Sequence, residues 1–281
     1  MATAEEPNGT RSKPAAALHL LATVGSPIAI VTALLVYYGW VRTYEQARTL
    51  GFDAGVLDLS IQDYVLKSVN VLFVPAILIL LGATALRATH LKAVAPAMDR
   101  PGAAPRIIRA FRHSWLLWVL LAGVVVLLAP ALFGVAIAGA LSISLLCLLY
   151  ASALERRTGQ SAMSPTGRVL TLLILALALF WTTEQVARMT GRAYAHQMGR
   201  EPEALVSVTV YSPKRLEIQL PGVRETKIGA PESAYLVRYD GLRLVQRSGI
   251  RYFLISEQWD ELRPRVIVLK ETDAIRLEFS R

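Results

Sequence analysis

Between Ser114 and Leu154 the chain carries no Asp, Glu, Lys, Arg or His. That uncharged run constrains the fold more than any other feature. As one helix it would measure roughly 60 Å at 1.5 Å per residue, about twice a bilayer's hydrocarbon core. It therefore predicts a hairpin of two spans. The turn is expected at Ala129-Pro130-Ala131-Leu132-Phe133-Gly134, where a proline and a glycine sit close together near the midpoint.

Three further apolar segments reach spanning length. They run from about Ala17 to Trp40, Tyr64 to Ala85 and Val169 to Thr183, and Lys67 is their only charged residue. The spans therefore number about five. Charged residues make up 18% of the chain, below the roughly 25% of soluble domains, and the deficit lies in the first two thirds. The first apolar run is too long for a signal peptide, and it ends in bulky Tyr37-Tyr38-Gly39-Trp40, so a retained anchor is expected.

Loop charges set the expected orientation. The tail, the 86–113 loop and the 155–168 loop hold 11 Lys and Arg residues; the alternate loops hold only Arg42 and Arg48. By the positive-inside rule the N terminus is cytoplasmic. With five spans the C-terminal region is extracytoplasmic, on a multi-pass protein of the plasma membrane. Residues 1–199 carry a formal +7 and residues 200–281 a formal +2. The basic excess thus belongs to loops facing anionic lipid, and no nucleic-acid partner is expected. Tyr37, Tyr38, Trp40, Tyr64, Trp115, Trp118, Tyr150, Phe180 and Trp181 lie near the span ends, as belt residues would.

Several local patterns carry a mechanism. Ser60-Ile61-Gln62-Asp63 matches a capping box, and Asp63 and Lys67 have favourable four-residue spacing. In the 41–59 loop, Tyr44–Leu50 is predicted to form a short helix stopped by Gly51, able to pack under the C-terminal domain. Arg106, Arg109 and Arg112 recur every three residues around Ile107, Ile108 and Phe111. This fits either a helix contacting the cytoplasmic lipid surface or an extension of the third span. Gly134, Ala138 and Ser142 form a small-residue stripe for helix packing, either against the third span or as a homo-oligomer seam. Glu184 and Arg188 form a second four-residue pair on an expected stalk that continues the fifth span to Pro202.

Beyond Ala204 the pattern changes to period two. Leu216, Ile218 and Leu220 alternate with polar residues, as do Ile275, Leu277 and Phe279. Asp240-Gly241 and Ser248-Gly249 look like hairpin turns, and Val266–Leu269 like a short strand. About seven strands in one antiparallel sheet or barrel are expected.

His19, His90, His113 and His196 show no metal-ligand spacing, and Cys147 is the single cysteine. No Walker loop, nucleophile elbow, HExxH or GxGxxG motif occurs. The expectation is a protein that is not an enzyme and needs no cofactor or metal. No Asp, Glu or Arg lies within the spans, which counts against proton- or ion-coupled transport. The polar span residues Ser26, Thr32, Ser68, Asn70, Ser142 and Ser144 can bond backbone within their own helices.

Two stretches carry a resemblance. One is Tyr38-Gly39-Trp40-Val41-Arg42-Thr43, continuing through Gly51-Phe52-Asp53 to Gln62-Asp63-Tyr64-Val65-Leu66. The other is Tyr239-Asp240-Gly241-Leu242-Arg243-Leu244 with Arg251-Tyr252-Phe253-Leu254. Together they resemble uncharacterised multi-pass membrane proteins of actinobacteria. The resemblance implies the architecture and a bacterial plasma membrane, and no activity.

The fold class expected is thus an α-helical integral membrane protein plus a small antiparallel β-rich domain. Residues 1–16 are a polar tail, 17–199 the transmembrane domain with its stalk, and 200–281 the soluble domain. The partners expected are the lipid bilayer, a protein or envelope partner on the C-terminal domain, and a second copy of the chain. An oligomeric channel or transport component is the alternative function. A membrane enzyme acting on lipid-linked substrates is a third, resting on Asp53, Asp58 and Asp63.

Overall fold

The computed structural model describes residues 27–100, 102–159, 163–230 and 232–280. The 1–16 tail and the start of the first expected span lie outside them. The described chain forms a helical bundle capped at one end by an antiparallel sheet. The helices are α1 (Pro27–Leu50), α2 (Ile61–Thr89), α3 (Ala103–His113), α4 (Trp115–Leu128), α5 (Phe133–Arg157) and α6 (Pro165–Arg200). A π-helical turn, His90–Val94, and a single α-turn, Ala95–Met98, extend α2. Four helical segments are long and apolar enough to cross a membrane: Ile61–Met98, Ala103–Leu128, Pro130–Arg157 and Pro165–Arg200. Their side chains are largely exposed, apolar ones such as Leu66, Leu80, Leu127 and Leu128 included.

The hairpin turn falls where the sequence places it. α4 stops at Leu128, Pro130–Leu132 makes one 3-10 turn, and α5 starts at Phe133. The capping box at the start of α2 forms as well. The Ser60 N–H donates to Asp63 Oδ2 at 2.9 Å, and the Asp63 N–H donates to Ser60 Oγ at 3.2 Å.

The 41–59 segment differs from expectation. Tyr44–Leu50 is not a separate helix; it is the last part of α1, which runs unbroken from Pro27. Nothing between Trp40 and Tyr44 breaks a helix, so the backbone bonds simply continue. Gly51 does stop it, at φ +93. The Gly51 and Phe52 N–H groups donate to the carbonyls of Arg48 and Ala47 at 3.2 and 3.0 Å, closing a Schellman motif. The chain then turns through Ala54–Val56 under the sheet.

The sheet has six strands where about seven were expected: β1 (Ser207–Ser212), β2 (Arg224–Lys227), β3 (Val237–Ser248), β4 (Arg251–Ser256), β5 (Ile267–Lys270) and β6 (Arg276–Ser280). The order is β5-β4-β3-β1-β6, with β2 also on β3 and all pairings antiparallel. Asp240-Gly241 is not a hairpin turn. β3 runs straight through it, and Thr209 of β1 faces both residues in a bulge between the pairs Val208–Leu242 and Val210–Tyr239. Gly241 supplies the positive φ of +87, and a side chain there would strike the Gly222 carbonyl. The expected turn after Ser248 does form, joining β3 to β4.

Leu216–Leu220 is not a strand either. Glu217 takes φ +51, which breaks the extended run. The Leu216 N–H donates to the Tyr239 hydroxyl at 2.7 Å instead of to a neighbouring strand. Leu216 and Ile218 still pack their partly buried side chains on the sheet face formed by Val208, Val210, Tyr239, Leu242 and Leu254. The opposite face, Val245, Phe253 and Ile255, packs on the helices. β4 is thus buried on both faces, so its sequence reads as a continuous apolar run rather than an alternating one.

Candidate functional site at the helix–sheet junction

Three elements converge below the sheet: the end of α1, the start of α2 and the end of α6. Ala47 and Leu50 of α1, Ala195 and Met198 of α6, and Ala54 and Leu57 of the connection share one apolar core with Val245, Phe253 and Ile255. Phe52 lies 5.1 Å from Phe253, centroid to centroid. Close helix approach comes from glycines. A side chain on Gly39 would strike the Tyr64 backbone of α2, and one on Gly191 would strike the Arg42 carbonyl of α1.

A charge network lies beside that core. Glu45 is 2% exposed. It accepts from Arg188 Nη1 at 2.6 Å and from Arg192 Nε at 2.9 Å. Arg188 also donates to Glu184 at 2.7 Å, so the expected four-residue pair is one edge of a larger network. Burial would raise the Glu45 carboxyl above its ordinary value, but the hydrogen bonds from Arg192 and Arg188 outweigh it and hold the group below.

Two more cations stand one turn away. Arg42 is 8% exposed, donates from Nη1 to the Lys67 carbonyl at 2.7 Å, and lies 5.3 Å from the Tyr194 ring centroid. Burial pushes its guanidinium below its ordinary value, and Tyr194 opposes that shift. Lys67 does not pair with Asp63. Asp63 is held by Ser60, and Lys67 Nζ instead donates to Gln246 Oε1 on β3 at 3.3 Å. A polar contact therefore ties α2 directly to the sheet.

The structure places Arg106 and Arg109 exposed on α3, with Arg112 3.5 Å from buried Glu155 of α5. Ile107, Ile108 and Phe111 pack against Tyr150 and Leu154 of α5. Nearby, Arg157 Nη1 donates to His90 Nε2 at 3.1 Å. Because arginine only donates, the neutral His90 ring carries its proton on Nδ1 and donates it to the Tyr150 hydroxyl at 2.7 Å. These groups lie at the opposite end of the bundle from the sheet.

Gly134 and Ser142 turn toward α6, not toward the third span. A side chain on Gly134 would strike Gln185, and Ser142 Oγ meets Thr182 Oγ1 at 3.1 Å; Ala138 between them is fully buried. Thr32, Ser68, Ser142 and Ser144 each donate to a backbone carbonyl of their own helix, so their hydroxyls are used locally. Of the aromatic residues expected at the membrane surface, Tyr38 packs inside against Phe180, 5.5 Å between centroids, while Trp40 and Trp115 remain exposed.

Among the described residues no group of His, Cys, Asp and Glu is arranged to hold a metal ion. The Glu45 network and the Arg42–Lys67 pair escaped the sequence reading because their partners lie far apart along the chain. The available signal was the concentration of Arg42, Glu45, Glu184, Arg188 and Arg192 just beyond span ends on the same expected side.

No family model, curated protein or solved structure matches this chain.

Proposed function

We propose that the chain is a non-enzymatic, multi-pass plasma-membrane protein. Its extracytoplasmic sheet binds an envelope or protein partner and passes the bound state to the helices. The carrying observation is the shared core: Val245, Phe253 and Ile255 pack on Ala47, Leu50, Ala195 and Met198 at the ends of α1 and α6. A domain meant only to be tethered needs a linker; this one has its inner face built into the bundle. The unbroken 36-residue α6 supports the same reading, since a continuous helix joins the junction to the membrane interior.

The side of the sheet is tested with Ile250→Cys in a Cys147→Ser background. Ile250 is exposed, whereas Ser248 in the same hairpin is buried. A membrane-impermeant maleimide should label intact cells; labelling only after permeabilisation would place the sheet in the cytoplasm. Coupling is tested by hydrogen exchange in nanodiscs. Val210→Ala lies on the sheet face away from the helices. It should speed exchange at 187–198 of α6 and leave the middle of α5 unchanged. Unaltered exchange at 187–198 would refute the coupling.

A further inference from the structure

We propose that Arg42, Lys67 and Gln246 form a binding site for a phosphate group, that of an anionic phospholipid headgroup. This goes beyond the proposed function, which names no lipid ligand.

The charges at the junction fall into two sets. Arg188 and Arg192 share Glu45, and Arg188 also holds Glu184. Arg42 and Lys67 have no such partner: among the described residues, no carboxylate lies within 4.0 Å of either. Asp63, one turn before Lys67, is taken by Ser60. Two cations from different helices are therefore brought together, and the Asp63 charge, already engaged by Ser60, reaches Lys67 only from a distance. Burying a guanidinium in this way is costly unless an anion joins it.

The same place collects orphaned donors. Among the described residues, Arg42 Nε and Gln246 Nε2 are both buried and find no hydrogen-bond partner. Arg42 as a whole is more than nine-tenths buried, held in place by the Lys67 carbonyl and the Tyr194 ring. Among the described residues, Lys67 Nζ bonds to Gln246 Oε1 alone. Buried donors of native proteins are nearly always satisfied. A group with several acceptor oxygens and a negative charge fits an arginine, an ammonium and an amide together, and phosphate is that chemistry.

The level in the bilayer selects the source. Arg42 follows exposed Trp40 by two residues, and Lys67 follows Tyr64 by three, so both stand at the headgroup level of their spans. Val74 and Leu78, seven and eleven residues on from Lys67 and so on its side of α2, are exposed. They offer acyl chains a surface running down from the site.

The test uses the full chain purified in detergent, with thermal unfolding followed against added lipid. Phosphatidylglycerol should raise the Tm by about 4 °C at saturation, as a ligand of the native state does. Lys67→Met should weaken the half-saturating concentration about tenfold. If that variant does not fold, Gln246→Leu keeps both cations and should weaken it about threefold. Inorganic phosphate that gave the same rise at millimolar concentration would keep the phosphate site and overturn its lipid occupant. An equal rise with phosphatidylcholine, or a phosphatidylglycerol rise unchanged in whichever variant folds, would overturn the site.

Discussion

The two ends of the helical bundle are held by different physics. At the sheet end, α1, α6 and the sheet bury a common apolar core beside a carboxylate that two arginines enclose. At the opposite end, α3 and α5 meet through the smaller cluster of Val94, Ile108 and Leu154, edged by His90, Tyr150 and Arg157. Burial supplies most folding free energy, whereas exposed polar contacts supply little. The sheet end is therefore the stiff end. If the proposed coupling holds, a change in the sheet reaches the helices there, and changes at the other end stay local.

Removing the largest buried contact of the stiff end should break this contrast most. Phe253 is fully buried between the sheet and Phe52. Phe253→Ala should cost about 4 kcal/mol, through lost transfer energy and the cavity left behind. Thermal unfolding in detergent should show it as the lowest Tm among these variants. A loss no greater than that of an exposed-site variant would mean that the sheet is only tethered.

Arg188→Met comes next. It leaves buried Glu45 with Arg192 alone, and it also frees Glu184. The expected cost is about 2 kcal/mol, at the lower end for a broken buried pair because Arg192 remains and Arg188 is partly exposed. A stability equal to the wild type in unfolding experiments would show that the network contributes nothing to the junction.

What the sequence made legible was local. The hairpin turn, the Gly51 stop, the capping box and the Glu184–Arg188 pair each depend on residues within a few positions of one another. The hidden features depend on distant partners. Glu45 finds Arg188 and Arg192 only once α1 lies against α6. Lys67 has Asp63 at helical spacing and still turns to Gln246, since Asp63 is spent on the cap. Asp240-Gly241 suits a turn and a bulge equally well, and the β1 pairing decides for the bulge. Leu216 and Ile218 alternate as a strand would, but they cover a sheet face while Tyr239 takes the place of a strand neighbour.

A pH comparison sharpens the role of Glu45. Its folded carboxyl lies below the ordinary value of 4.5. Its contribution is then fully present above that value and is lost as the pH falls through the folded one. Glu45→Gln removes the titration. The stability difference between wild type and Glu45→Gln should be largest near neutrality, about 1–2 kcal/mol, and shrink below about pH 4.5. Taking the difference cancels the titration of the other carboxylates. A gap that stayed constant down to pH 3 would assign the effect to shape rather than charge.

The smallest effect is expected at the opposite end. Tyr150→Phe keeps the ring packed on Phe111, 4.8 Å between centroids, and removes only the hydroxyl that accepts from His90. The His90 pair with Arg157 is left in place, at a half-exposed position where water can replace the lost partner. The cost should be about 0.5 kcal/mol. Hydrogen exchange around 90–94 should rise, with no change at 187–198 of α6. That outcome would fit an end whose adjustments stay local. Increased exchange at the sheet junction would instead show that the bundle transmits in both directions, and the division into a stiff end and an adjustable end would fail.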